Sequence, residues 1–207
     1  VEDAAETPAV TAVFTAQSES DARTLAFNTA ESLAREVASI PRRGRPAELV
    51  AIVSADGHII ARNTERNQDA GRDVGREFAS VAQALQPNGR PTRDYVKFGE
   101  QNWLELVTVP VRRDGQVKGA LMVGFGVADS ASRNDAQIIG VDVGFLFREG
   151  DHYSVQSLSA GQQAEKEQLR AWANSPAAGG ANLFRGRVRT RVTLDGEDYH
   201  VMVVPMP

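Results

Sequence analysis

The chain contains no cysteine. That excludes a disulfide scaffold, a thiolate metal site and a cysteine nucleophile, and it selects no compartment. No stretch approaches the roughly 18 consecutive apolar residues of a membrane-spanning helix, and no charged-then-apolar leader opens the chain. Net charge is small: 23 Lys and Arg stand against 27 Asp and Glu, a formal balance of -4. With no overall positive field to draw in a phosphate backbone, nucleic acid is not an expected partner. The three histidines, His58, His152 and His200, are far apart and form no HExxH spacing, so no metal site is expected. No GxSxG elbow occurs, and the glycines between residues 115 and 126 fall inside an apolar run rather than before a helix. Neither a serine nucleophile nor a phosphate cradle follows. The sequence therefore predicts no catalytic residues and no cofactor. Any enzymatic output would lie outside this chain.

What is present is ordinary for a globular protein: 207 residues, 42% hydrophobic and 24% charged, enough for one large domain or two small ones. The chain starts at Val1, not methionine, as expected of a fragment or processed form of something longer, whose membrane segments would lie outside it. Residues 8 to 39 lack glycine, and Ala22, Leu25, Thr29, Leu33, Val37 and Ile40 recur three or four apart. This spacing predicts one long amphipathic helix ending at Pro41, before a basic breaker segment over residues 41 to 46. So long a helix is also suited to forming a homodimer.

Two β-type runs flank Ser54-Ala55-Asp56-Gly57, a hairpin signal. Val74, Phe78, Val81 and Leu85 then repeat at helical spacing within residues 71 to 86. Strands follow over residues 94 to 98, 103 to 111 and 117 to 127, with Asp114-Gly115 turning between the last two. Residues 129 to 137 begin Asp-Ser-Ala-Ser-Arg-Asn-Asp and read as a polar linker. The pattern then restarts: strands at 138 to 147 and 153 to 158, a helix at 163 to 174, a loop at 175 to 180, and a hairpin of 187 to 194 with 199 to 204 around Asp195-Gly196. The halves overlay as strand, strand, helix, strand, strand, an internal repeat of fold without repeated identities. Only the first half adds a closing strand, so the second sheet is expected to have one strand fewer.

The order of these pieces resembles a known family. Leu49 to Arg62 around the Asp56-Gly57 turn, Gly71-Arg72-Asp73-Val74-Gly75 before a helix, Leu106-Val107-Thr108-Val109-Pro110-Val111 and Gly140-Val141-Asp142-Val143-Gly144 together resemble the extracytoplasmic double Cache sensor domains of bacterial histidine kinases and chemoreceptors. The resemblance implies an α+β fold: a long N-terminal helix followed by two PAS-like modules with antiparallel sheets, the second lacking its final strand. It divides the chain into a stalk helix and loop at 1–46, a membrane-distal module at 47–128, a linker at 129–137 and a membrane-proximal module at 138–207. It also implies a small-molecule ligand in the first module, and a periplasmic location for this portion of an inner-membrane protein whose membrane segments lie outside the chain. A module without a ligand, serving dimerisation or a partner protein, is the alternative.

Candidate ligand-binding residues are Tyr95, Trp103, Glu105 and Arg62. Glu105 is the one charge in a nearly apolar strand from Trp103 to Val111, and burying it without a partner is costly. Two readings stand open: a pocket carboxylate sharing a face with Trp103 beside Tyr95, or a Glu at the sheet edge or paired to an arginine such as Arg62. Asp142 raises the same question in the second half. Tyr153, Trp172 and Tyr199 read as core aromatics. Finally, the run from Arg185 to Arg191 alternates so that Arg187, Arg189 and Arg191 share one strand face, which is expected to be solvent-exposed and is compatible with an anion or lipid-headgroup contact.

Overall fold

Pro8 occupies the first turn of a short helix, where its missing N–H costs nothing, and Ser18 opens a longer one. In this computed structural model, which describes residues 2–39, 46–65, 68–99, 102–159, 162–175, 183 and 186–206, the chain divides into two units, Val1–Gly126 and Val127–Pro207. The basic segment expected at 41 to 46 lies outside the described residues except for Pro46. So do Ile40, residues 176 to 180 of the expected loop, and Arg185.

The single N-terminal helix expected over residues 8 to 39 is two helices, α2 (Pro8–Val13) and α3 (Glu19–Ala38), preceded by a short α1 (Glu2–Ala5). The break has a local cause. Ser18 is extended, and its hydroxyl oxygen accepts the Asp21 amide while donating to the Asp21 carboxylate, an N-terminal cap that starts a new helix. The buried face also differs from the expected one. Ala26, Ala30 and Leu33 are buried, whereas Leu25 is 39% exposed. The small Ala26 and Ala30, beside Leu33, let α3 lie close against the sheet.

That sheet has five antiparallel strands in the order β2-β1-β5-β4-β3: β1 (Ala47–Ser54), β2 (Ile59–Arg62), β3 (Thr92–Phe98), β4 (Asn102–Arg113) and β5 (Gln116–Gly126). Asp114 and Gly115 both take positive φ (52° and 75°), as do Asp195 and Gly196 (49° and 82°). This is the conformation a two-residue hairpin turn demands, and the reason Asp-Gly marks it in the sequence. One sheet face, carrying Val50, Ile52, Val109, Val111, Leu121 and Val123, packs under α1 to α3. The other, carrying Leu49, Ala51, Val53, Leu104, Leu106 and Met122, packs under α4 (Val74–Glu77) and α5 (Ala79–Ala84). The helix expected over residues 71 to 86 is thus interrupted at Phe78, which is extended and sends its ring into this second core.

In the second unit the expected linker at 129–137 is instead a helix, α6 (Asp129–Ile139), so the strand expected from 138 begins at Gly144. Polar composition concealed it: its buried residues are the small Ala131 and Ser132. The strands β6 (Gly144–Glu149), β7 (His152–Leu158), β8 (Val188–Leu194) and β9 (Glu197–Val203), with α7 (Gln163–Ala173) between the pairs, follow the repeat. Among the described residues this unit has four strands, against five in the first, and they pair two and two, β6 with β7 and β8 with β9. The strand that joins the corresponding hairpins in the first unit is β5, which lies between β1 and β4. Tyr153 is buried, and Trp172 and Tyr199 pack at the edge of the core beneath α7, as expected of core aromatics. Asp142 lies in the exposed turn before β6 and accepts a hydrogen bond from Ser159 (2.9 Å).

Asp129 ties α6 to β7 and α7. Its carboxylate accepts the Leu158 amide (3.1 Å) and pairs with Lys166 (2.6 Å). Burial opposes its ionisation, but the Lys166 and Leu158 hydrogen bonds and the charges of Lys166 and Arg133 outweigh burial and hold its pKa below the usual carboxylate value. A depressed folded-state pKa contributes stability that is present above the unfolded value and lost as pH falls through the folded one. Asp129→Asn is therefore expected to destabilise by about 1 kcal/mol at neutral pH. The gap from wild type should close below about pH 4; urea midpoints measured across that range check it.

Candidate functional site

The four candidate residues fall into two places separated by the sheet. Tyr95 pairs directly with Glu105, and Lys97 with Trp103, across β3 and β4. Glu105 in turn sits opposite Phe125 of β5, which belongs to the core under α1 to α3. Trp103 and Glu105 therefore share the face on the α1 to α3 side, as their spacing of two predicts, and the β3–β4 register adds Tyr95 to it. Glu105 is largely buried, with 13% of its side chain exposed, and its partner is Arg93 at 2.8 Å, not Arg62. Arg93 also reaches the Tyr95 hydroxyl at 3.4 Å.

Arg62 stands on the opposite face. It pairs with Ala51 of the core under α4 and α5, and its guanidinium binds Asp69 at 2.5 Å with only 12% of the side chain exposed. Asp69 also meets Arg72 (3.5 Å), and Arg72 forms a two-point bond with Glu77 (2.8 and 2.5 Å). Hydrogen bonding to Glu77, ahead of the desolvation that opposes it, holds the Arg72 proton more firmly than usual. Both guanidinium groups lie over the ring of Phe98, Arg72 at 4.2 Å and Arg62 at 5.4 Å from its centroid, within cation–π range. Phe98 itself packs against Phe78 (6.1 Å between centroids).

This cluster measures the curvature of the sheet. β2 and β3 are its two edges, four strand intervals or about 19 Å apart in a flat sheet. Contact between a β2 arginine and a β3 phenylalanine requires that the sheet curl around the α4–α5 face. The Arg62–Asp69–Arg72–Glu77 network, resting on Phe98, then forms a clasp between the two edges of the sheet.

Beneath α5, two side-chain hydroxyls are buried without a hydrogen-bond partner among the described residues: Ser80 on α5 (7% exposed) and Thr108 on β4 (0%). Thr108 follows Leu104 and Leu106 on the concave face, opposite Met122. Thr92 of β3 donates to the Ser80 carbonyl at 3.0 Å, which fixes α5 over this spot. Buried hydroxyls normally find partners, so an unpaired pair needs a reason. The sequence reading missed Arg72, Ser80 and Thr108 as site residues. A signal existed for Thr108, the hydroxyl in an otherwise apolar Leu-Val-Thr-Val run; Ser80 and Arg72 become visible only through the curl of the sheet. A shallow groove of about 400 Å³ on α2, lined by Pro8, Thr11, Ala12, Thr15 and Arg113, includes none of these residues.

No family model and no curated protein matches this sequence. Solved structures do match. The chain is similar to the sensor domain of the histidine kinase DctB from V. cholerae, with a TM-score of 0.54, 13% identity, and 95% of this chain and 78% of that one covered. A domain of a sensory box/GGDEF family protein from Vibrio parahaemolyticus superposes with a TM-score of 0.54 at 11% identity, covering 98% and 84%. The ligand-binding domain of the Campylobacter jejuni chemoreceptor Tlp3, in complex with L-valine, superposes with a TM-score of 0.50 at 15% identity, covering 95% and 72%. The fold is the one these sensor domains share. At such identities the likeness is one of fold, and the side chains of the concave face are this chain's own. No described helix is long and apolar enough to cross a membrane.

Proposed function

We propose that this chain is the extracytoplasmic small-molecule sensor of a bacterial transmembrane receptor, with its ligand bound on the concave face of the first unit behind the Arg62–Arg72 clasp. The observation that carries this reading is the combination, on one face of the sheet, of a charged network over an aromatic ring and two unpaired buried hydroxyls. Such a face is apolar with a few convergent polar groups, the usual character of a ligand site. Arg72 is engaged by Glu77 and Asp69, but the buried Nε–H of Arg62 has no partner among the described residues beside its Asp69 bond, a donor that a ligand carboxylate oxygen would satisfy. Ser80 and Thr108 would take its polar end. An amino acid fits that description, and the similar Tlp3 domain was crystallised with L-valine. The signal would pass through the sheet to α3, on its other face, and so bias the N-terminal helices in a homodimer. The ligand must then bind one signalling state more tightly than the other.

A second reading rests on Glu105, a largely buried carboxylate flanked by Trp103 and Tyr95, which would suit a cationic ligand on the α1 to α3 side. A thermal-shift screen of amino acids, organic acids, amines and purines decides between the two. A ligand at a hundred times its Kd stabilises by about 2.7 kcal/mol, a shift of several degrees. The expected hit carries a carboxylate, and its shift disappears in Arg62→Gln or Arg72→Gln while surviving in Trp103→Ala and Glu105→Gln. The reverse pattern would move the site to the Glu105 face, and no hit at all would favour a ligand-free module.

A further inference from the structure

The β8–β9 hairpin buries one face and leaves the other open. Val192, Leu194, Tyr199 and Val201 turn toward α7. Their alternates, Arg187, Arg189 and Arg191 on the first strand side and His200, Met202, Val204 and Met206 on the second, are exposed. Register places Arg189 beside Met202 and Arg191 beside His200. In the first unit the corresponding face of the sheet carries Val109 and Val111 and is covered by helices; here Met202, Val204 and Met206 are 55%, 44% and 50% exposed.

Charge is polarised along the hairpin. Its tip is acidic, with Asp195, Glu197 and Asp198, and Asp198 accepts a hydrogen bond from Thr193 (2.7 Å) and sits 3.8 Å from Arg191. Toward the open end, Arg187 and Arg189 have no ion-pair partner among the described residues and stand beside the three exposed apolar residues. A chain with a net charge of -4 thus concentrates cations and bare apolar side chains on one strand pair.

We propose that this face docks on an anionic phospholipid surface. The guanidinium groups suit lipid phosphates, and Met202, Val204 and Met206 suit the headgroup–acyl boundary, where apolar burial and charge attraction act together. A second copy of the chain is disfavoured as the occupant, since it would set like charges against each other. The surface is independent of the ligand face of the first unit.

Vesicle co-sedimentation of the whole chain tests the proposal. Binding is expected to phosphatidylglycerol vesicles and not to phosphatidylcholine vesicles, and raised salt should weaken it. Each arginine near an anionic surface is worth roughly five-fold in partitioning, so Arg187→Gln with Arg189→Gln should lower binding about 25-fold. Met202→Ser should reduce the part of binding that persists at high salt. The lipid and salt comparisons use the unaltered chain and hold even if a variant folds poorly. Equal binding to both lipids, no binding to either, or indifference to the double arginine change overturns the proposal. So does self-association in sedimentation equilibrium that the same arginine changes abolish, which would assign the face to a second copy.

Discussion

Truncating Leu106 to alanine is expected to lower the stability of the first unit by about 4 kcal/mol, in the upper part of the range for buried leucines. Leu106 is fully buried at the centre of the concave face, between Asp94 of β3 and Gly124 of β5 in the ladder. The cost depends on whether the surroundings can collapse into the space left behind. Here they cannot do so easily: Leu104, Met122 and Val96 are each fixed to paired strands, and Gly124 brings no side chain to fill the gap. A loss of that size is a large share of the stability of a domain. It should appear as a lowered urea midpoint with an unchanged slope. Because Leu106 neighbours Thr108 on the same face, the variant should also lose the thermal response to any ligand bound there. A loss below about 1 kcal/mol would mean that the core under α4 and α5 repacks freely around the missing side chain.

Gly119→Ala should cost about 3 kcal/mol, with the opposite sign of volume change. A Cβ at this β5 position would lie closer than 3.0 Å to the Val53 carbonyl oxygen and to the ring of Phe14. The glycine thus lets the chain following α2 settle directly on the sheet, and its absence of a side chain is itself a packing element. Phe14 can move, but the Val53 carbonyl belongs to the neighbouring strand and cannot. Pairing the change with Phe14→Ala should therefore recover only part of the loss, a coupling that a double-mutant cycle in urea measures. Full recovery would show that the ring alone makes the clash.

Strands were legible in this sequence because their signals are local. Asp114-Gly115 and Asp195-Gly196 set hairpin turns, and alternation set the faces, so that Trp103 and Glu105 share one face as their spacing predicts. Helices were read less well where small residues carry the buried face. α3 buries Ala26 and Ala30, and α6 buries Ala131 and Ser132, which hydrophobic periodicity counts for little. The break before α3 was written in Ser18 and Asp21, a capping pair overshadowed by the lack of glycine. Arg62 was singled out, but its surroundings were not readable. They depend on strand order and on the curl that brings one sheet edge to the other, and no local window contains either. Glu105 needed an arginine, and sequence distance gave no reason to choose Arg93 over Arg62 before the β3–β4 register was known.

The order β2-β1-β5-β4-β3 puts the last strand of the first unit at its middle. As the polypeptide leaves the ribosome, two separate hairpins must wait until residues 116 to 126 emerge before either side of the sheet can close. Long-range closure of this kind is slow, and waiting edges invite mispairing. Nascent chains stalled before β5 should therefore be captured by chaperones far more readily than chains stalled after it.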